Sequence, residues 1–178
     1  MYIISEIRKF KLCVFGDSGV GKTSLTRRFV TSTFIEDLKR TIGTDITKKS
    51  LEVKGKLISL QIWDFGGEEK YQVLFPSFVK GANGGIFMYD ITRESSLKSI
   101  EPWISFFKDN QDILKVPIIS VGGKSDLENL RIVTMENAID MAQLHNLDGY
   151  YECSSKSGEK VEKIFKAITK LMMKKTGD

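Results

Sequence analysis

The chain has 178 residues, of which 41% are hydrophobic and 28% are charged, a composition typical of a globular domain rather than of a disordered chain. The formal net charge of +4 is too small an excess to predict nucleic-acid binding. No apolar run is long enough to span a bilayer, and no secretory signal, myristoylation start or C-terminal prenylation cysteine is visible, so we expect no intrinsic membrane anchor. We expect one cytoplasmic domain over residues 1–178, with an N-terminal extension over 1–9 and the folded domain over 10–174.

The first predicted strand, over residues 10–16, leads into a glycine-rich loop and then a predicted helix over 22–32. The loop fits G-x-x-x-x-G-K-[ST], and strand, loop, helix is the context that this phosphate-binding motif requires. Its glycines let successive backbone N–H groups turn toward one anion, and the helix N-terminus adds unpaired donors. We expect Lys22 to reach the β- and γ-phosphates of a nucleotide and the Thr23 hydroxyl to hold Mg²⁺. The predicted nucleotide contacts here are Asp17, Ser18, Gly19, Val20, Gly21, Lys22, Thr23 and Ser24.

A polar segment over 33–44 follows, and then two predicted strands over 45–53 and 57–63. A short turn at 54–56 separates these strands, which predicts an antiparallel hairpin. The second strand ends in Asp64, which can hold Mg²⁺ through water, and Gly67 can offer its backbone N–H to a γ-phosphate oxygen. Ligands bind at the carboxyl ends of strands in such sheets, so the segments 33–44 and 64–70 are the predicted switch regions.

The remaining predicted elements alternate between helix and strand. Helices are expected over 69–80, 94–109, 134–146 and 158–173, and strands over 84–90, 116–122 and 150–153. This alternation predicts an α/β fold with a mostly parallel, six-stranded sheet and helices on both faces. In the last helix, the residues expected to face the core are Val161, Ile164, Phe165, Ile168, Leu171 and Met172. Lysines line its opposite side, which is expected to be solvated, with an acidic partner or anionic membrane surface as the alternative.

Two further motifs follow predicted strands and can read a base. Asp126 can accept hydrogen bonds from the N1–H and exocyclic amine of guanine, and the stem of Lys124 can cover the ring. After the last strand, the segment Ser154-Ser155-Lys156 can direct backbone N–H groups to the guanine O6. Each motif alone is weak, but their order after a phosphate loop favours a guanine nucleotide.

Together these residues resemble the Ras-like small GTPases over nearly the whole chain, with the P-loop NTPase fold. The Rab branch is the most similar: residues 41–46 resemble its first switch, 89–92 its following strand, and 80–82 the end of its second switch. Phe65-Gly66-Gly67 looks more like the Arf, Gα and Roco versions of the second switch. The resemblance implies a Mg²⁺-dependent switch that binds GTP and GDP, hydrolyses GTP slowly and recruits effectors.

The same resemblance assigns roles to individual residues. It implies that Thr41 coordinates Mg²⁺ and contacts the γ-phosphate, that Phe34 packs on the guanine, and that Leu127 lies beside the base. Effectors, an exchange factor and a GTPase-activating protein would bind through residues 33–46 and 64–80, and a partner would bring the protein to a membrane. The implied effector surface is Ile46, Trp63 and Phe78, with ordinary half-buried packing as the alternative.

This sequence departs from the family pattern in its catalytic and base-reading residues. Glu68 stands where the family has its catalytic glutamine, and an ionised carboxylate can accept but not donate a hydrogen bond. Gly123 stands where the family has a base-reading asparagine. The predicted catalytic residues are Glu68, Lys22 and Gly67, whereas Arg40 is expected to be solvated rather than an internal arginine finger. A GTP-binding interaction module without hydrolysis is the main alternative, and an ATP-dependent phosphotransferase a more distant one.

Overall fold

The computed structural model of the chain describes residues 7–109 and 116–177. Its six strands form one sheet in the order β2-β3-β1-β4-β5-β6. Their bounds are β1 Arg8–Phe15, β2 Thr44–Val53, β3 Lys56–Phe65, β4 Gly84–Asp90, β5 Ile118–Gly123 and β6 Gly149–Glu152. Strands β2 and β3 form the predicted antiparallel hairpin, and every other pair is parallel. The predicted P-loop NTPase fold, an α/β fold with a six-stranded, mostly parallel sheet, is therefore confirmed.

Helices cover both faces of this sheet. Their bounds are α1 Lys22–Thr31, α2 Phe75–Val79, α3 Glu94–Lys98, α4 Ile100–Asp109, α5 Met135–Leu144 and α6 Val161–Lys175, with 3-10 helices at Glu69–Leu74 and Ser125–Leu130. β1 begins at Arg8, two residues before the start of the predicted strand, and residues 1–6 lie outside the described residues. Within the part of the chain described, no helix has both the length and the apolar character needed to cross a membrane.

Two predicted helices are divided in the structure. The predicted helix over 69–80 is a 3-10 helix followed by the short α2, which has Pro76 in its first turn. Proline has no N–H to donate to the preceding turn, but this N–H is not needed in a first turn, so α2 can begin beside Pro76. The predicted helix over 94–109 ends at Lys98 and restarts at Ile100, with Pro102 in the first turn of α4. Proline is tolerated in a first turn because the N–H groups there have no intrahelical partner.

The core consists of two apolar clusters, one on each face of the sheet. Because successive residues of a strand point to opposite faces, Leu12 and Val14 of β1 join one cluster while Cys13 and Phe15 join the other. The first cluster contains α1 and α6, and includes the residues predicted from the last helix, with Leu171 partly buried. The second contains α2 to α5 and is rich in aromatic rings. Helices packed on both faces fix the carboxyl ends of the parallel strands, where the segments described below begin.

Candidate nucleotide-binding site

A cavity of about 410 Å³ opens at the carboxyl ends of the parallel strands. It brings together segments that are far apart in the sequence: the phosphate loop, the 33–44 segment, and the residues that follow β3, β5 and β6. The sequence-predicted residues that line it are Ser18, Gly19, Val20, Gly21, Lys22, Thr23, Ser24, Phe34, Thr41, Gly67, Glu68, Lys124, Asp126, Leu127, Ser155 and Lys156. Three residues predicted to contact the nucleotide or the metal do not line this cavity, namely Asp17, Asp64 and Ser154. Each is hydrogen-bonded to a residue that does line it: Asp17 to Lys22, Asp64 to Thr23 and Ser154 to Asp126.

The phosphate loop is arranged around the ammonium group of Lys22. Gly21 caps α1 with φ 104°, a left-handed conformation that glycine adopts without strain. Lys22 is buried, and its Nζ donates to the carbonyl oxygen of Asp17 at 2.7 Å. Burial lowers the pKa of Lys22 to about 8, although the nearby carboxylates of Asp64 and Asp17 oppose this shift. A phosphate anion beside this group would favour its charged form.

The residues predicted to bind Mg²⁺ meet at the start of α1. The Thr23 hydroxyl donates a short hydrogen bond to Oδ2 of Asp64, and the hydroxyls of Thr23 and Thr41 lie 2.8 Å apart. Asp64 is buried, and its Oδ1 has no hydrogen-bond partner among the described residues. Burial raises the pKa of Asp64 to about 6, against the hydrogen bond from Thr23 and the charge of Lys22.

These groups fit Mg²⁺, which prefers oxygen ligands and usually binds through one or two carboxylates, water and substrate phosphates. A cation here would provide a partner for the unpaired carboxylate oxygen of Asp64 and would lower its pKa. The described residues contain no cluster of three or more His, Cys, Asp or Glu side chains suited to a metal ion. Phosphate oxygens and water would therefore have to complete the coordination.

Two glycines after β3 allow close backbone packing. The Gly66 N–H donates to the carbonyl oxygen of Gly43 at 2.7 Å, and a Cβ atom on Gly66 would lie 2.6 Å from the Thr41 carbonyl oxygen. A Cβ atom on Gly67 would collide with the backbone of the phosphate loop. Only glycine therefore lets this segment contact both the phosphate loop and the first switch region. The structure thus places the Gly67 backbone at the phosphate end of the cavity.

Glu68 lies beside these glycines and lines the cavity. Its Oε2 is 3.0 Å from Nζ of Lys70, whose side chain is largely exposed. Glu68 also lines a second, more open cavity on the outer side of the phosphate loop. The carboxylate is therefore next to the phosphate end, where it can only accept hydrogen bonds while it is ionised.

At the opposite end of the cavity, the side chains predicted to read the base are fixed by hydrogen bonds. The Nζ of Lys124 lies 2.6 Å from Oδ2 of Asp90, and Oδ1 of the same carboxylate accepts hydrogen bonds from the backbone N–H and the hydroxyl of Thr92. Burial opposes ionisation of Asp90, but the hydrogen bonds from Lys124 and Thr92 hold its pKa below the usual value. The Ser154 hydroxyl donates to Asp126 at 2.6 Å. Ser154, predicted as a direct nucleotide contact, is instead buried behind Asp126, which it orients.

A buried ion pair that sequence analysis missed joins the two base-reading segments. Arg131, which follows the segment with Asp126, donates to both carboxylate oxygens of Glu152 at 2.8 and 2.7 Å. Glu152 ends β6, immediately before the segment with Ser154. The Ser125 N–H also donates to the Cys153 carbonyl oxygen at 3.0 Å. The base end is thus assembled by the protein itself.

The space next to Gly123 is filled by Met88, another residue that sequence analysis missed. A Cβ atom on Gly123 would lie 2.5 Å from Cε of Met88 and 3.1 Å from the carbonyl oxygen of Val20. Met88 is buried and also lines the nucleotide cavity. The glycine therefore leaves no hole, because the thioether of Met88 occupies the space that a larger residue at position 123 would need.

The phosphate loop is tied to its surroundings by two long-range hydrogen bonds. Asp17 does not line the nucleotide cavity; its carboxylate accepts a hydrogen bond from Nε1 of Trp103 at 2.9 Å. Arg93, between β4 and α3, donates from Nη2 to the Ser18 carbonyl oxygen at 2.8 Å. Trp103 and Arg93 carry no motif, so their roles were not visible in the sequence.

The predicted effector residues form one continuous surface. Ile46 of β2 pairs in register with Trp63 of β3, and the rings of Trp63 and Phe78 are 5.8 Å apart. Ile46 is 45% exposed, whereas Trp63 and Phe78 are partly buried. The segments 33–46 and 64–80, predicted to bind effectors and regulators, also carry exposed apolar residues that sequence analysis did not single out, because Ile42 is 80% exposed and Val73 is 79% exposed.

The chain was compared with known proteins. Residues 11–174 match the Ras family. The chain is 38% identical over 168 residues to the Ras-related protein Rab-13 of Canis lupus familiaris, covering 94% of this chain and 82% of that protein. It is 36% identical over 159 residues to the Ras-related protein Rab-11A of Dictyostelium discoideum, covering 89% of this chain and 73% of that protein. The chain therefore belongs to the Ras family of small GTPases, and it lies near the Rab branch.

Proposed function

We propose that this small GTPase is a Mg²⁺-dependent switch that binds GTP and GDP, hydrolyses GTP slowly and recruits effectors in its GTP state. One observation carries the proposal: a single cavity contains the phosphate loop, the base-reading Asp126 and both predicted switch regions. A nucleotide in this cavity can therefore be recognised at its base while its terminal phosphate contacts the segments that would respond to it.

Guanine would bind at the preassembled end. The Asp126 carboxylate, oriented by Ser154, would accept from the N1–H and exocyclic amine of the base. The stem of Lys124 would cover one face of the ring, and Phe34 would pack against the nucleotide from the first switch region. Backbone N–H groups of Ser155 and Lys156 would donate to O6. Adenine has no matching donor pair for Asp126, so this end favours GTP over ATP.

Hydrolysis would take place at the opposite end. Lys22, Thr41 and the Gly67 N–H would stabilise charge on the phosphates, and Glu68 would position the attacking water by accepting its hydrogen bond. Mg²⁺, held by Thr23, Thr41 and (through water) Asp64, would neutralise charge on the β- and γ-phosphates. Because ionised Glu68 cannot donate to the phosphate, we expect a slow intrinsic rate.

The switch would depend on contacts between the two responsive segments. Gly66 already donates to Gly43, so an ordered first segment holds the second in place. A γ-phosphate would add contacts to Thr41 and Gly67, and its loss would release both segments. Ile46, Trp63 and Phe78 lie on this surface, where an effector would distinguish the two states. The exchange factor and the GTPase-activating protein would act on the same segments.

The test is to measure nucleotide binding and single-turnover hydrolysis with the purified chain. Titration calorimetry with GTP, GDP and ATP, each with Mg²⁺ and with a chelator, should show binding of the guanine nucleotides and a clear preference over ATP. Single-turnover assays should show slow release of phosphate from bound GTP. Equal affinity for ATP and GTP would contradict the guanine assignment, and tight GTP binding without phosphate release would favour the interaction module.

A further inference from the structure

A second, open cavity of about 610 Å³ adjoins the nucleotide cavity on the outer side of the phosphate loop. Ser18, Gly67 and Glu68 line both cavities and so form the wall between them. These residues lie at the opposite end of the nucleotide cavity from the base-reading Asp126. The second cavity therefore borders the position of the third phosphate.

The guanidinium of Arg93 lies in this second cavity. Its Nη2 donates to the Ser18 carbonyl oxygen at 2.8 Å, and its Nη1 is 3.9 Å from the position that a Cβ atom on Gly19 would take. The Nε of Arg93 is buried and has no hydrogen-bond partner among the described residues. The side chain is thus held against the phosphate loop with donor capacity left over, since a guanidinium carries five N–H groups.

Arg93 shares this cavity with the carboxylates of Asp17, Glu68 and Glu69. Asp17 accepts a hydrogen bond from Trp103, and Glu68 pairs with Lys70. No ion pair joins Arg93 to a carboxylate in residues 7–109 and 116–177. The guanidinium therefore keeps N–H groups that can form charge-assisted hydrogen bonds with an anionic ligand at the neighbouring site.

We propose that Arg93 is a built-in positive charge for the third phosphate, and that it makes the site prefer a nucleoside triphosphate over a diphosphate. This inference rests on the proposed function. The guanidinium reaches the phosphate end from the loop after β4, outside the motifs that hold the rest of the nucleotide. It also offsets the negative charge that Glu68 brings to this end, which supports hydrolysis as well as binding.

The decisive measurement is the ratio of two dissociation constants, one for GDP and one for a β,γ-imido analogue of GTP, both with Mg²⁺. Arg93→Ala should weaken the analogue about tenfold and change GDP binding less than about twofold, because only the analogue has a third phosphate. Arg93→Gln retains an amide donor for the Ser18 carbonyl but lacks the charge, and it should behave as Arg93→Ala does. Arg93→Lys should restore most of the preference.

A purely structural role for Arg93 predicts a different pattern. If the side chain only braces the phosphate loop, its loss should weaken GDP and the analogue equally, and Arg93→Gln should restore both; either result would overturn the proposal. Lys98→Ala is the matched control, because Lys98 lies on the adjacent α3, is largely exposed and carries the same charge. It should leave both constants unchanged, whereas a loss equal to that of Arg93→Ala would show that only net charge matters.

Hydrolysis provides a second readout. At saturating GTP, Arg93→Ala should lower the single-turnover rate about tenfold, and the effect should be smaller when Glu68→Gln has already removed the opposing charge. If the parent protein releases no phosphate, the proposed hydrolysis is wrong while the affinity ratio still decides the role of Arg93. If the unsubstituted protein hydrolyses GTP but has the same ratio of dissociation constants for GDP and the GTP analogue as Arg93→Ala, this inference is overturned. The proposed function is not affected by that result.

Discussion

The phosphate end and the base end of the nucleotide cavity are held together by different kinds of contact. At the phosphate end, backbone groups meet directly, as where Gly66 donates to Gly43, and single hydroxyls such as that of Thr41 complete the site. At the base end, charged side chains are paired within the protein, as in the contacts of Arg131 with Glu152 and of Lys124 with Asp90. We infer that the base end is preassembled, whereas a ligand can make or remove contacts at the phosphate end.

Removing the ion pair between Arg131 and Glu152 at the base end should have the largest effect on the free energy of unfolding. Arg131→Gln would leave the carboxylate of Glu152, whose side chain is only 5% exposed, without its cationic partner. Removing one member of a buried ion pair destabilises a protein by about 3–5 kcal/mol. Urea unfolding of the nucleotide-free protein should show this loss. Glu128→Gln is the control, because Glu128 is largely exposed and its removal should cost less than about 1 kcal/mol; equal losses in the two variants would contradict the comparison.

Breaking the phosphate end should lower nucleotide affinity rather than stability. Lys22→Ala removes a charged hydrogen-bond donor to phosphate, so GTP and GDP should each bind about 10- to 100-fold more weakly. The free energy of unfolding without nucleotide should change less than this, because removing the buried ammonium relieves its desolvation cost and so offsets the lost hydrogen bond to the Asp17 carbonyl and the lost attraction to Asp64. Calorimetry and urea unfolding test the two statements. Lys163→Ala, on the exposed face of α6, should change neither quantity, and unchanged GTP affinity in Lys22→Ala would contradict the assignment of the phosphate loop.

Substitutions at Gly123 and Met88 should have a smaller effect, on the rate of GDP release, and they test how the space at the base end is filled. Gly123→Asn alone should bring little benefit, since its Cβ would lie 2.5 Å from the Met88 methyl group. In a Met88→Ala background the amide has room to reach the Val20 carbonyl, so Gly123→Asn should slow GDP release about fivefold. Dissociation of fluorescent GDP from the four proteins measures this coupling. Additive effects would show that Met88 does not occupy the space in question.

Low pH should lower the free energy of unfolding through the Arg131–Glu152 pair, and this is the smallest of the effects predicted here. Burial opposes ionisation of Glu152, but hydrogen bonds from Arg131 and Tyr150 hold its pKa below the ordinary value of 4.5. Because the pKa of Glu152 is lower in the folded protein than in the unfolded chain, the ionised carboxylate stabilises the fold at pH values above its unfolded-state pKa. This stabilisation is lost as the pH falls through the folded-state pKa. The free energy of unfolding should therefore decrease below about pH 4.5. The decrease should be shallower in Arg131→Gln, and identical slopes would exclude this pair as the cause.

Much of the phosphate end could be predicted from the sequence because its determinants are local. The glycines and Lys22 occur within one motif, and the motif requires only the strand before it and the helix after it. The mostly parallel sheet followed from the alternation of helix and strand patterns, whereas the order of its strands was not predicted. The helix breaks were also signalled, by Pro76 and Pro102, although their positions were not predicted.

The sequence by itself thus determined the fold and the family, because short motifs and regular apolar spacing encode them, and the same motifs predicted the residues that would meet a guanine nucleotide. Only the tertiary structure decided how those residues are supported. Arg93 meets Ser18 across 75 positions and Arg131 meets Glu152 across 21, while Met88 fills the space beside Gly123. Such contacts form where neighbouring strands of a parallel sheet end side by side, and the parallel neighbours in this sheet are separated in the sequence by whole helices and loops.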